Sequence, residues 1–257
     1  MPRRGTRVRY EDGDAWAAGP DRVYGLLAAA AVGLIPDDLT GRVALDAGAG
    51  TGAAGRALAA RGATVVSVDA SASMVRRADG VRLVGSVAGL PLRDRTVDAA
   101  VATLVLSHVD DPVGPLSELG RVTRAGGPVG ATAFPYGVGH RVKEIADQVL
   151  AEAGYRAPGW YTTLKTSGEQ RVGTAANLVA LAAAAGLRQP EVHRCDVDLT
   201  GFPVDALVAW RLGMAPVAAW VSAQDSPALR PRIAAEIAAR VDTASPLALL
   251  VLIARSS

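Results

Sequence analysis

Apolar residues in this chain fall into two kinds of run. Some are short and dense, and others recur every three or four positions. The first dense run, residues 42–46 (Arg-Val-Ala-Leu-Asp), ends in a glycine-rich stretch, as a buried strand does before a sharp turn. A helical pattern follows over about 53–60, stopped by Gly62 where a C-cap glycine belongs. The β-branched run 64–69 predicts a second strand. Met74 and Val75 mark a short helix, and 81–84 a third strand. Residues 98–106 are nearly all apolar, the pattern of a parallel strand covered on both faces. A helix over 115–124, broken by Gly126-Gly127, and a fifth strand over 129–134 complete the alternation. Strands alternating with helices predict a doubly wound, mostly parallel α/β sheet.

Beyond residue 134 the rhythm changes. A loop (135–139) leads into an amphipathic helix over 141–153 with Val142, Ile145, Val149 and Leu150 on one side. Residues 155–172 are polar and contain glycine, with Trp160 and Tyr161 adjacent, and belong to a helical insertion after the fifth strand. A helix over 175–185 ends at Gly186, and 191–199 alternates like an edge strand. Two more helical stretches follow, 203–220 (interrupted at Pro216) and 227–241, and then a last strand over 247–254. The division expected is one domain: an N-terminal lid (1–41), a core (42–134), an inserted cap (135–172) and a completion of the sheet (173–257).

Composition narrows the class. Half of the 257 residues are apolar and a fifth charged, the balance of a globular chain. One cysteine, Cys195, excludes a disulfide framework and a multi-thiolate metal site. Histidines 108, 140 and 193 are too scattered for a zinc site by helical spacing, and no carboxylate cluster suggests magnesium, so no metal is expected. A net charge of +2 and 4% aromatics argue against nucleic acid. The apolar run 23–35 is 13 residues long, short of a membrane span, and no leader pattern opens the arginine-rich first ten residues. The expectation is a cytoplasmic protein, monomer or homodimer, acting on a small molecule.

The stretch Asp46-Ala47-Gly48-Ala49-Gly50-Thr51-Gly52 sits between strand and helix, where glycines let a ligand approach the backbone. Two ligands fit such a loop. Gly50 to Gly55 matches the dinucleotide pattern G-x-G-x-x-G, with Asp69 at the distance of a ribose-binding acid. Against that, Asp46 would face a pyrophosphate with its own negative charge. It suits a ligand bearing positive charge.

At these residues the chain resembles the class I S-adenosylmethionine-dependent methyltransferases, in particular the ubiquinone and menaquinone biosynthesis branch. The likeness extends through Asp69-Ala70-Ser71, Gly85-Ser86-Val87-Ala88-Gly89-Leu90-Pro91, Ser107-His108-Val109-Asp110-Asp111-Pro112 and Ala125-Gly126-Gly127, in order and at matching spacings. It is close over 43–134 and looser over 187–255. The resemblance implies a seven-stranded Rossmann-like sheet and S-adenosylmethionine as cofactor. It places Gly48, Gly50 and Gly52 against the methionine and ribose moieties, Asp46 near the ammonium group and Asp69 on the ribose hydroxyls. Met74 and Ala70 would flank adenine, and the backbones of Val87, Thr103 and Leu104 would complete the site. Tyr10, in the lid with Trp16 and Tyr24, would donate to the methionine carboxylate. Ser86 stands where the family has an aspartate on the adenine amino group. Exchanging a charged for a neutral hydrogen bond costs about 1 kcal/mol, roughly fivefold in affinity.

Methyl transfer asks mainly for alignment and exclusion of water. A hydroxyl acceptor also profits from a base, for which His140, at the mouth of the insertion, is expected ahead of His108. His193 reads as structural, and Tyr136, Trp160 and Tyr161 as lining for an acceptor. The arginine-over-lysine, alanine-rich composition suggests a high-GC bacterial source and a secondary metabolite as acceptor. Two other readings stand beside methyl transfer to oxygen. One is a methyltransferase-like enzyme that performs a non-methylating step such as cyclisation, and the other is an NAD-dependent oxidoreductase.

Overall fold

The computed structural model describes residues 10–224, 226–241 and 246–257. Residues 1–9, the opening of the expected lid, lie outside them. The five dense runs form β1 (Val43–Ala47), β2 (Thr64–Asp69), β3 (Val81–Val84), β4 (Ala99–Ala102) and β5 (Pro128–Ala133). These pair in parallel in the order β3-β2-β1-β4-β5. β6 (Arg188–Val197) and β7 (Leu247–Arg255) extend the sheet antiparallel, β7 lying between β5 and β6. The seven-stranded, mostly parallel sheet is the one the sequence predicts. β4 and β5 are buried throughout and built largely from Ala, Val and Gly, whose small side chains leave room for helices on both faces.

One face carries α2 (Pro20–Gly33), α3 (Ala53–Ala60), α6 (Arg141–Glu152), α10 (Val204–Leu212) and α12 (Leu229–Arg240). Leu27, Leu58, Ile145, Trp210 and Ile233 fill that core. The opposite face is closed by α5 (Val113–Val122) and α9 (Ala175–Ala184), which pack Leu116, Leu119 and Leu178 against Leu45 and Val129. The short α1 (Gly13–Ala18) and α4 (Ala72–Val75) lie together at the sheet's carboxyl edge: a Cβ on Gly13 would stand 2.4 Å from the Ser73 carbonyl oxygen.

The insertion after β5 is helical, as expected: α7 (Gly159–Thr163), a π-turn (Leu164–Gly168) and α8 (Glu169–Val172) follow without a break. Thr162, Thr163, Thr166, Ser167 and Gln170 face outward on those turns, so the segment lacks a long apolar period. Two expectations need correction. β4 stops at Ala102, short of the predicted 106, because Leu104 adopts a left-handed φ of 57° and a 3₁₀ turn (Leu106–His108) follows. The helix break near Pro216 falls at Gly213-Met214 instead. Pro216 sits in the first turn of α11 (Ala215–Ser222), where a missing N–H is harmless.

β1 has β2 on one side and β4 on the other, so the loops leaving β1 and β4 diverge. This is the switch point at which open α/β sheets hold their ligands.

Candidate active site

A cavity of about 290 Å³ opens at that switch point. Its floor is the loop after β1. Gly48 has a φ of 69°, and a Cβ there would come within 2.4 Å of the Val105 side chain, so the loop from β1 can meet the loop from β4 only with glycine. The loop's amides are turned inward. Those of Gly48 and Ala49 donate to the Val68 carbonyl (2.7 and 3.0 Å), that of Gly50 to Asp69 Oδ2 (2.8 Å), and that of Gly52 to the Ala49 carbonyl (2.8 Å). Four amides engaged in this way cannot cradle a pyrophosphate, which counts against a dinucleotide.

Asp69, at the end of β2, lines the cavity and accepts from the Ser71 amide through Oδ1 (2.8 Å). Burial pushes its carboxyl above the ordinary value, and the Ser71 and Gly50 amides pull it back. Each oxygen keeps a further lone pair for a ligand hydroxyl. Ala70, Ser86, Val87, Thr103 and Leu104 share the same wall, with Gly48, Gly50 and Tyr10. Ser86 Oγ accepts from the Ala88 amide (3.2 Å), and the Leu104 amide donates to Thr132 Oγ1 (2.9 Å).

Three expected cofactor residues lie behind the wall. Asp46 is fully buried beneath the loop; its Oδ2 accepts from the Gly55 amide (2.7 Å), and its Oδ1 has no hydrogen-bond partner. Desolvation lifts its pKa to about 7, against the pull of the Gly55 amide, with nearby Asp69 adding to the rise and Arg56 opposing it. Asp46 therefore shapes the loop and sets the potential under it without lining the cavity. Gly52 caps α3, and a Cβ there would lie 2.9 Å from Ala78, so it serves close packing. Met74 is buried under Gly50, 3.5 Å from where a Cβ on that glycine would lie, and supports the floor.

The N-terminal helices form the roof. Tyr10 stands edge-on to Trp16, His108 and Trp160 (ring centres 5.4, 5.3 and 6.3 Å), and Trp16 packs on Tyr24. The roof is latched to the floor. Asp21 of α2 pairs with Arg56 (2.6 Å) and accepts from the Thr51 hydroxyl. His108 lines the cavity, its Nε2 3.4 Å from the Tyr10 hydroxyl. His140 does not. It is 6% exposed, caps α6 by accepting from the Val142 amide at Nδ1 (3.3 Å), and stands edge-on to Trp210. The expectation that His140 faces the acceptor is corrected: residues 135–139 bring it to the start of a helix and turn its ring into the core. Tyr161 lines the cavity, Trp160 touches it through Tyr10, and Tyr136 is exposed. His193 stands on edge strand β6, away from the cavity.

The far end holds charged residues that sequence reasoning missed. Lys143 of α6, Lys165 of the π-turn and Glu169 of α8 all line it, with Phe134, Tyr161 and Met214. Lys165 Nζ reaches both Glu169 oxygens (2.7 and 2.6 Å). Arg211 of α10, almost fully buried, pairs with Asp147 at 2.5 Å and lies over the Tyr161 ring. A π-turn changes which residues of a helix face inward, and here it directs Leu164 and Lys165 into the cavity.

Residues 45–130 match the family model of a methyltransferase domain. A demethylmenaquinone methyltransferase of Renibacterium salmoninarum is 33% identical over 128 residues, 48% of this chain and 52% of that relative. The chain thus spans about half the length of the curated relatives it matches. Among solved structures, a phosphoethanolamine N-methyltransferase of Haemonchus contortus in complex with S-adenosyl-L-methionine superposes with a TM-score of 0.60 at 17% identity, covering 97% of this chain and 58% of that one. The (4+2)-cyclase SpnF does so with a TM-score of 0.53 at 21% identity, covering 92% and 80%. In fold, loop and matched segment the chain is similar to the class I S-adenosylmethionine-dependent methyltransferases. Over that core it is similar in particular to demethylmenaquinone methyltransferases.

Proposed function

We propose that the protein transfers a methyl group from S-adenosylmethionine to a hydroxyl oxygen of a small molecule, a secondary metabolite. The observation that carries this reading is the two-ended cavity. One end, around Asp69 and the inward-turned glycine loop, suits a nucleoside without phosphates. The other, under Tyr161 and between Phe134 and Lys143, suits a compact organic acceptor.

When bound, the donor supplies an electrophilic methyl group on a cationic sulfur. The chain's residues divide the remaining work. Asp69 accepts the ribose hydroxyls; Ala70, Ser86 and Val87 border the adenine; Gly48, Gly50, Thr103 and Leu104 hold the methionine portion, with Tyr10 above it. Buried Asp46, only partly ionised at neutral pH, would be drawn to its charged form by a ligand that carries positive charge and driven from it by a pyrophosphate. The Tyr10–Trp16–Tyr24 roof excludes water, which raises the strength of every polar contact inside. His108 and Lys143 are the groups on the wall that can take a proton from the acceptor.

Calorimetry with S-adenosylhomocysteine and with NAD tests the cofactor: saturable binding of the first and none of the second is expected, and the reverse overturns the reading. Incubation of extracts with a methyl-labelled donor then tests the transfer. Label moving to a small molecule supports it. A donor that binds and is never consumed favours the cyclisation reading, which the fold shared with a cyclase keeps in view.

A further inference from the structure

The chain has 25 arginines and two lysines, and both lysines, Lys143 and Lys165, stand in the wall of the one cavity described above. A protein that meets its other needs for side-chain cations with arginine has placed its lysines at a ligand site. The property that separates the two residues is that an ammonium can lose its proton and a guanidinium cannot. Their surroundings differ. Lys165 is held by both oxygens of Glu169, and Arg211 close by is held by Asp147. Lys143 has no carboxylate within ion-pair distance among the described residues. Its Nζ lies over two aromatic rings instead, 4.7 Å from the centre of Phe134 and 4.9 Å from that of Trp210.

We propose that Lys143 is the catalytic base of the reaction, and that the acceptor is a small molecule with an acidic hydroxyl, a phenol or an enol, bound against it. The inference rests on the methyl-transfer reading and adds the substrate class. The lone pair of Nζ takes the hydroxyl proton. The O–H bond breaks with its electron pair left on oxygen, an N–H bond forms, and an oxyanion faces an ammonium. The oxyanion would form the new O–CH3 bond as the donor's S–CH3 bond breaks with its electron pair left on sulfur as a neutral thioether, and the ammonium then releases its proton to solvent. Charge balance around the site supports this assignment. Lys165 with Glu169 and Arg211 with Asp147 are neutral pairs, so the acceptor's oxygen is the counter-charge that Lys143 lacks. Burial, with Lys165 and Arg211 adding repulsion against the opposing pull of Glu169 and Asp147, brings its pKa down to about 7, where a base is effective at neutral pH. His108, by contrast, has the Tyr10 ring edge-on and its hydroxyl near Nε2, an arrangement that ties it to the roof.

With only two lysines, amine chemistry reads the proposal directly. The full-length protein, with and without saturating S-adenosylhomocysteine, is labelled with trace acetic anhydride from pH 5 to 10, and each lysine is quantified by peptide mass spectrometry. A lysine titrating near 7 has roughly a thousandfold larger neutral fraction at pH 7 than an ordinary one at about 10.4. The expected result is a Lys143 labelling midpoint near 7; a midpoint at the ordinary lysine value overturns the proposal. A second measurement uses 4-nitrophenol, whose absorption reports its ionisation. Added to the S-adenosylhomocysteine complex at pH 6, it should show the phenolate band with the parent protein and with Lys143→Arg, and lose it with Lys143→Met. A band that persists in Lys143→Met, or is absent from the parent, overturns the acceptor class. If the parent binds no S-adenosylhomocysteine, the methyl-transfer reading itself fails; if it binds while Lys143 titrates as an ordinary lysine, only the base assignment fails.

Discussion

Two aspartates on neighbouring strands, Asp46 of β1 and Asp69 of β2, illustrate how position divides one chemistry into two tasks. Asp69 is half-buried at the cavity wall and already accepts two amides. Replacing it with alanine removes the carboxylate proposed to accept the ribose hydroxyls and should weaken S-adenosylhomocysteine binding by about 2–4 kcal/mol. Calorimetry checks this; unchanged affinity would take Asp69 out of the site. Asp46 is fully buried with an orphaned oxygen, and its pKa of about 7 lies well above the roughly 3.9 of an unfolded chain. The folded protein therefore binds an extra proton between those values. Relative to an ordinary carboxylate, its stabilising contribution is complete below pH 4, is lost as pH rises to 7, and is absent above. The loss is at most about 4 kcal/mol. Asp46→Asn should flatten that slope, because a carboxamide has no charge to desolvate and its N–H can turn toward the buried Ser67 hydroxyl, itself unpartnered across the β1–β2 register. Urea midpoints at pH 5 and 8 would show it: a parent protein no less stable at pH 8 than at pH 5 would refute the assignment. The sequence makes the aspartates and glycines legible because their roles follow from local order along a strand and turn. The meeting of Lys143 with Lys165 and Glu169 was not legible by spacing, since two separate segments, α6 and the run from α7 to α8, bring them together. Their signal was compositional: a nearly lysine-free chain keeps its two lysines at one place.

At the scale of elements, the alternation of β1 to β5 with α3 to α5 was readable because buried parallel strands leave dense apolar runs and glycine turns end them. The individual turns of the segment from α7 to α8 were not, because its helices are one or two turns long and pack through Leu164, Gly168 and Val172 rather than along a full apolar stripe. A Cβ on Gly168 would lie 2.3 Å from the Ser107 carbonyl, and Arg171 donates to the Val109 carbonyl (2.9 Å), so this segment is fitted to the turn that carries His108. His140 shows the same difficulty in the other direction. Its place before an amphipathic helix suggested the cavity mouth, yet the start of α6 uses its ring as a cap and buries it against Trp210. Its replacement should therefore act on stability. His140→Ala should cost about 1–2 kcal/mol through the lost cap and the void beside Trp210, while His140→Asn, which can cap, should recover part of it. Both variants should bind S-adenosylhomocysteine as the parent does. Denaturant unfolding and calorimetry together decide the point, and an intact stability with lost turnover would return His140 to the chemistry.

The cavity is the place where every part of the molecule meets. Its wall takes Tyr10, Trp16 and Tyr24 from the N-terminal helices, the glycine loop and Asp69 from the core, Lys143 and Glu169 from the segments after β5, and Met214 from the turn between α10 and α11. The roof is tied to the core through Asp21 with Arg56 and Thr51, and α1 lies close enough to α4 for Ser73 Oγ to donate to the Glu11 carbonyl (2.5 Å). Tyr155 likewise bridges from the end of α6 to the Pro216 carbonyl (2.8 Å). A ligand touching all of these should stabilise them as one unit, because it binds the folded state and not the unfolded chain. At a hundred times its dissociation constant that linkage is worth about 2.7 kcal/mol, and for a chain of this size each kcal/mol moves Tm by roughly 2–4 °C. Saturating S-adenosylhomocysteine should thus raise Tm by about 5–10 °C in scanning calorimetry and leave a single transition. NAD at the same concentration should leave Tm where it was. Two transitions, with only one of them shifted by the ligand, would mean that the roof and the later segments melt apart from the core. The cavity would then be a property of the core alone, and Tyr10, Trp16 and Lys143 could not belong to one binding site.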